Sequence, residues 1–282
     1  MLEMKLPDLF HIGTQRAGST YLYNLLKTHP EVSLSPLQEV HFYMTKNFHR
    51  GVDWYMNCFP KEGHQIDTSP KYFMLGEQVA PRIKDLLKDQ IPLFLLILRN
   101  PIDYVNSHYQ MHLRTGYFKR QRAMYPKVPT ALVEFVKIYP TYLERGLYCN
   151  ILEEHWLSHF DESQFKIVFF EDLVTNTDDV IRQILDFFGL PSRQLSTVPS
   201  SKNRMLRHPF LYKARDTVVK MPQLKSFLKG SKLFNYFYDN YLSANAPLSK
   251  EDRGWLQKYF SEDVERLKER IGRDIPQWSD FR

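Results

Sequence analysis

The sequence predicts an α/β fold, a mainly parallel sheet flanked by helices in a single domain spanning residues 1–282, with a phosphate loop after its first strand. Three observations carry that expectation. The stretch Leu9 to Thr28 reads as strand, glycine loop and helix. The run Pro92 to Leu98, PLFLLIL, is apolar without interruption, as in a strand buried on both faces of a parallel sheet. Other strand candidates alternate with helical patterns along the rest of the chain.

In the first stretch, apolar Leu9-Phe10-His11-Ile12 leads into Gly13-Thr14-Gln15-Arg16-Ala17-Gly18-Ser19-Thr20, and Leu22, Leu25 and Leu26 follow at helical spacing. Gly13 and Gly18 let the backbone turn tightly and bring its N–H groups near a ligand. Ser19 and Thr20 stand where a helix starts, beside unpaired backbone donors. Such a helix start binds anions, phosphate above all, and Arg16 adds a positive charge. A triphosphate loop of the form G-x-x-x-x-G-K-S/T has Lys directly after its second Gly, whereas Ser19 occupies that position here. The loop is therefore built for phosphate, but not for a triphosphate with its magnesium.

Pro30 ends the first helix, and Glu31 to Ser35 is a short strand candidate. The loop after it carries Glu39 and His41 two residues apart; in extended chain these face one side and address one cavity. A carboxylate or imidazole so placed suits a general base. Residues Phe48 to Phe59 read as helical and aromatic, and Gln65 to Pro70 as a strand running into a turn. Pro81 opens or interrupts a helix that reaches Lys88.

The strand Pro92 to Leu98 ends in Arg99-Asn100-Pro101, with Pro101 suited to the first position of a helix that carries Ser107 and His108 about two turns in. An Arg at the carboxyl end of a parallel strand, where open sheets bind ligands, marks a second phosphate contact. A magnesium-dependent triphosphatase would carry Asp there. Thr115 to Pro129 is a basic, aromatic loop. Ala131 to Phe160 holds two helical patterns around Tyr139-Pro140, and Phe165 to Phe170 is a further buried strand. Asp178 to Gly189 is a helix stopped by Gly and Pro191, and Ser249 to Ile271 is an amphipathic helix with Trp255, Leu256, Phe260, Val264 and Leu267 on its core side.

Composition bounds the function classes. Hydrophobic residues make up 43% of the 282 and charged ones 25%, which excludes a disordered chain. A net charge of +6 favours anionic partners. The two cysteines, Cys58 and Cys149, lie far apart without metal-ligand spacing, which excludes a disulfide framework. No signal-peptide pattern, N-x-S/T acceptor or membrane-spanning apolar run is visible, so the chain reads as cytoplasmic; a lumenal catalytic domain would read the same. No nucleic-acid partner and no membrane insertion are expected.

Four separated segments resemble one family, the sulfotransferases that use 3′-phosphoadenosine 5′-phosphosulfate (PAPS). Gly13 to Thr20 resembles their 5′-phosphosulfate loop, with Arg16 where Lys is usual. Arg99-Asn100-Pro101 through Ser107-His108-Tyr109 is similar to their 3′-phosphate motif, an Arg followed eight residues later by a Ser. Glu39-Val40-His41-Phe42-Tyr43 and Thr68-Ser69-Pro70-Lys71-Tyr72-Phe73 resemble the base and substrate-side motifs of the heparan-sulfate and bacterial branch. Lys202-Asn203-Arg204 is faintly similar to a basic loop that closes over the nucleotide.

The resemblance implies a P-loop-type sheet and in-line transfer of a sulfuryl group from PAPS, without a metal, to a hydroxyl or, less favourably, an amine of a small-molecule, lipid or glycan acceptor. Glu39 would be the base and His41 its reserve. Arg16, the loop N–H groups, Ser19 and Thr20 would serve the leaving phosphate, and Arg99 and Ser107 the 3′-phosphate. Phe42, Tyr43, Ser69, Tyr72 and Phe73 would line the acceptor pocket. Two other readings compete: a P-loop kinase using Mg-ATP, and a non-catalytic nucleotide- or nucleic-acid-binding module. Thr68 stands where glycan sulfotransferases often carry Lys, and the acceptor's identity is open.

Overall fold

A computed structural model describes residues 6–60, 62–115, 117, 131–191 and 248–282. Its centre is a five-stranded, all-parallel sheet in the order β2-β3-β1-β4-β5. Strand β1 (Leu9–Gly13) passes through the glycine loop into α1 (Ser19–Leu26), and β2 (Val32–Leu34) takes one edge of the sheet. The aromatic stretch Phe48 to Phe59 is two short helices, α2 (Thr45–Phe48) and α3 (Val52–Met56), separated by Gly51 at φ 82°. Strand β3 (His64–Thr68) follows and pairs with both β1 and β2.

The helix expected around Pro81 is α4 (Gly76–Leu87), which neither starts nor breaks at the proline. Pro81 removes one backbone hydrogen bond, while the same helix buries Val79, Ala80, Ile83 and Leu87. Four fully buried apolar side chains outweigh one lost bond. Strand β4 (Leu93–Leu98) then lies centrally, with Phe94, Leu96 and Leu98 in one apolar cluster and Leu95 and Ile97 in the other. This two-sided burial is why its sequence is uniformly apolar rather than alternating.

Beyond α5 (Pro101–Thr115), the region read as two helices is α6 (Leu132–Ile138), α7 (Thr141–Glu144) and α8 (Tyr148–Ile151), the last running into a π-helical turn at Leu152–Trp156. Pro140 and Gly146 punctuate it. A Cβ on Gly146 would meet the Phe260 ring at 2.7 Å, so the chain turns where a tail helix approaches closely. Strand β5 (Phe165–Phe169) feeds α9 (Phe170–Thr175) and α10 (Thr177–Phe187).

The tail helix, α11 (Lys250–Ile271), is capped by the Ser249 hydroxyl, which accepts from the Asp252 N–H at 3.0 Å, and ends at Gly272 in the left-handed region. Leu256, Phe260, Val264 and Leu267 face the core as expected. Trp255 does not: it is 39% exposed and stacks on Tyr259 one turn away. A helix has room for only one buried stripe, and Leu256 already occupies it. Both cysteines are free and buried. Among the described residues, no helix is long and apolar enough to cross a membrane.

Candidate active site

The carboxyl ends of β1, β3 and β4 converge on one region, where open parallel sheets bind their ligands. The glycine loop is held from below. Thr14 donates from both its N–H and its hydroxyl to the carbonyl of Ile97 on β4, at 2.7 and 3.0 Å. A Cβ on Gly13 would lie 2.6 Å from the Cβ of Phe73, so only glycine fits against that wall. Gly18 takes φ 87° immediately before α1 and rests on the Phe170 ring. Ala17 is buried beneath the loop, while Gln15, Arg16 and Ser19 are half-buried and Thr20 is exposed at the helix start.

The two segments expected to bind phosphate meet directly. Arg16, itself at φ 63°, donates its Nε–H to the Ser107 hydroxyl on α5 at 3.0 Å. Arg99 donates from its guanidinium to the Arg16 carbonyl at 3.0 Å and lies over the same Phe170 ring that supports Gly18. The Arg99-Asn100-Pro101 turn is fixed by the rest of the chain. Tyr148 donates to the Arg99 carbonyl, Glu171 accepts from the Asn100 N–H and from the Trp278 indole, and Asp280 accepts from the Asn100 amide. Two guanidiniums, a serine hydroxyl and the start of α1 thus face one another at the sheet's carboxyl edge, a donor set matched to phosphate oxygens.

Glu39 and His41 are not in extended chain. Gln38 and His41 both take positive φ, 65° and 53°, and the folded loop sets Glu39 Oε2 3.0 Å from His41 Nε2. The two groups form a pair, and both remain partly open to solvent, at 34% and 26%. Gln38 ties this loop to both neighbours: its carbonyl accepts from the Thr68 hydroxyl at 2.6 Å, and its amide reaches the Thr20 hydroxyl at 3.4 Å. The carboxylate–imidazole pair therefore stands beside the helix start that closes the phosphate loop.

What holds that loop is Asp67, which the sequence presents only as part of a strand. Its fully buried carboxylate accepts from the hydroxyls of Ser69 at 2.6 Å, Tyr55 at 2.9 Å and Tyr72 at 3.0 Å. Two of these hydroxyls accept in turn, Ser69 from the His41 N–H at 3.0 Å and Tyr72 from the Tyr43 N–H at 3.2 Å. Burial pushes the Asp67 carboxyl up, and the three hydroxyl donors oppose that rise. A lone acidic residue between Ile66 and Thr68 was the available signal, since its neighbours' alternation turns it toward the aromatic core.

Of the residues assigned to the acceptor pocket, Phe42, Tyr43, Tyr72 and Phe73 are almost wholly buried members of the main core. Phe42 stacks on Tyr55 with ring centroids 4.2 Å apart, and Tyr43 packs edge-on against Tyr72. Ser69 is buried too, spanning Asp67 and His41. Lys202, Asn203 and Arg204 lie outside the described residues, as does the loop from 118 to 130. His11, on β1, is fully buried; burial pushes its imidazole down to about 4, against the opposing charge of Glu39 and a backbone contact at Gly13.

Comparison with known proteins gives the family and the fold. The chain is 28% identical over 203 residues to the human bifunctional heparan sulfate N-deacetylase/N-sulfotransferase 2, covering 66% of this chain and 22% of that protein. It is 29% identical over 197 residues to the mouse heparan sulfate glucosamine 3-O-sulfotransferase 3A1, covering 66% of this chain and 46% of that one. It thus matches less than half the length of either relative. The crystal structure of a sulfotransferase from Alicyclobacillus acidocaldarius superposes with a TM-score of 0.67 at 20% identity, covering 97% of this chain and 98% of the other, and so shares the fold. A family profile described as "Sulfotransferase domain" matches residues 6–225, and the chain belongs to that family.

Proposed function

We propose that this chain transfers a sulfuryl group from PAPS to a hydroxyl or amine of its acceptor by in-line displacement. The observation that carries the reading is the join between the two phosphate motifs, Arg99 to the Arg16 carbonyl and Arg16 to Ser107. A nucleotide carrying phosphate at both its 5′ and 3′ positions is the ligand such a double site would select. The donor brings the activated sulfuryl group; the chain positions it and balances charge.

In this reading Arg16, the loop N–H groups and the Ser19 and Thr20 hydroxyls face the departing phosphate oxygen. Arg16 stabilises it electrostatically, because a guanidinium holds its proton too firmly to give it up. Arg99 and Ser107 bind the 3′-phosphate. Glu39 takes the acceptor's proton as the new sulfur–oxygen or sulfur–nitrogen bond forms, and His41, 3.0 Å away, orients the carboxylate. The acceptor class best supported is a glycan, because the curated relatives carry heparan sulfate in their names.

Calorimetric titration tests the donor assignment. The expected result is metal-independent binding of the product nucleotide, 3′-phosphoadenosine 5′-phosphate (PAP), much tighter than that of ADP and weakened in Arg99→Ala. Magnesium-dependent ADP binding, indifferent to a 3′-phosphate, would overturn it and favour a kinase. Turnover of PAPS with unsulfated heparosan against a panel of small alcohols and amines then tests the acceptor class.

A further inference from the structure

Tyr104, His108 and His112 form a stripe along α5, each one turn from the next. The His108 ring packs on Tyr104 at 4.7 Å and on Tyr142 of α7 at 5.0 Å between centroids. His112 has a polar partner, its Nε2 lying 2.5 Å from the Tyr142 hydroxyl. His108 has none: the residue is only 4% exposed, and among the described residues neither ring nitrogen meets a hydrogen-bond partner. Buried polar groups are seldom left so, and this one directly follows Ser107 on α5.

The surroundings say which kind of atom would pair with it. Ser107, the preceding residue, holds Arg16. The charges that bear on His108 are Arg16, Arg145 and Arg99, with His112 beside them. Burial first, and these cations second, push its imidazole down to about 3, so the ring is neutral at any physiological pH. A neutral ring offers one N–H donor where a further fixed cation would only add repulsion. Donor and cations together call for an oxygen bearing negative charge.

We propose that His108 is a further nucleotide-binding residue, donating a ring N–H to an anionic oxygen of the donor nucleotide that lies against Arg16 and Ser107. This rests on the donor reading above and deepens it. The oxygen belongs to the 3′-phosphate, the 5′-phosphate or the sulfuryl group, three sources of one chemistry.

The test titrates PAP, PAPS and adenosine 5′-monophosphate into wild-type protein and into His108→Phe, His108→Asn and His108→Gln. Phe keeps the ring and removes the donor, while Asn and Gln return an N–H near Nδ1 and Nε2 respectively. The expected result is about 10- to 100-fold weaker binding to the Phe variant of at least one nucleotide, largely restored by Asn or Gln. Loss for PAPS alone assigns the sulfuryl oxygen. Loss for PAP and PAPS but not the monophosphate assigns the 3′-phosphate, and loss for all three the 5′-phosphate. Undiminished binding of all three to the Phe variant would overturn the proposal, as would equal loss in all three variants. Wild-type protein that binds none of them would overturn the donor reading along with it.

Discussion

Arg16 and Ser107, 91 residues apart in the chain, share a 3.0 Å hydrogen bond that fastens the phosphate loop after β1 to the helix after β4. In the proposed reading each belongs to a different phosphate-binding segment. Arg16→Ala removes both the charge and the contact and is expected to slow PAPS turnover by about 10²- to 10³-fold. Arg16→Lys keeps the charge without the planar fork and should recover part of that loss. Single-turnover measurement of PAP formation reads both; an Ala variant as fast as wild type would remove Arg16 from the transition state.

Glu39→Gln keeps the shape of the carboxylate and removes its basicity. Turnover should fall by about 10²- to 10⁴-fold while PAP affinity stays unchanged. His41→Ala should lower turnover less, since the imidazole acts through its 3.0 Å contact with Glu39. If the His41 variant were the worse of the two, the roles would be exchanged.

Asp67 takes three hydroxyl donors at once, and Asn offers a single acceptor oxygen. Asp67→Asn is therefore expected to cost about 1–3 kcal/mol of stability and to loosen the Glu39–His41 loop. Denaturant melts read the first effect. The second should appear as reduced turnover with PAP affinity retained, and parallel loss of both would mark a general unfolding instead.

His11 predicts an acid limb of stability. Its imidazole titrates at about 4 when folded, below the usual 6.5. A depressed folded value means the contribution is complete above about 6.5 and is lost as pH falls toward 4, because the unfolded chain takes up the proton first. At about 1.4 kcal/mol per pH unit this amounts to on the order of 3 kcal/mol. Melting temperatures measured from pH 7 to pH 4 should fall less steeply in His11→Leu than in wild type; parallel curves would exclude the role.

Gly13→Ala would place a Cβ 2.6 Å from that of Phe73, a core side chain with nowhere to go. Overpacking of this kind costs about 1–3 kcal/mol, and here it would also displace the phosphate loop. Loss of stability and of PAP affinity together is expected, and an unperturbed variant would show that the Phe73 wall yields.

What the sequence by itself determined is local. The glycine spacing, the Ser19-Thr20 helix start, the apolar β4 and the Arg99-to-Ser107 interval each lie within one strand–turn–helix unit, where backbone rules act over a few residues. The parallel sheet followed from the same alternation. Only the tertiary structure decided that Arg16 reaches Ser107, that Glu39 pairs with His41 through two positive-φ residues, and that Asp67 anchors their loop. It also placed Phe42, Tyr43, Tyr72 and Phe73 in the core, and Trp255 at the surface. An aromatic residue reads alike in either place, because the same apolar ring suits a ligand or another side chain. Which of these it meets depends on neighbours brought together across tens of residues, and no local pattern records them.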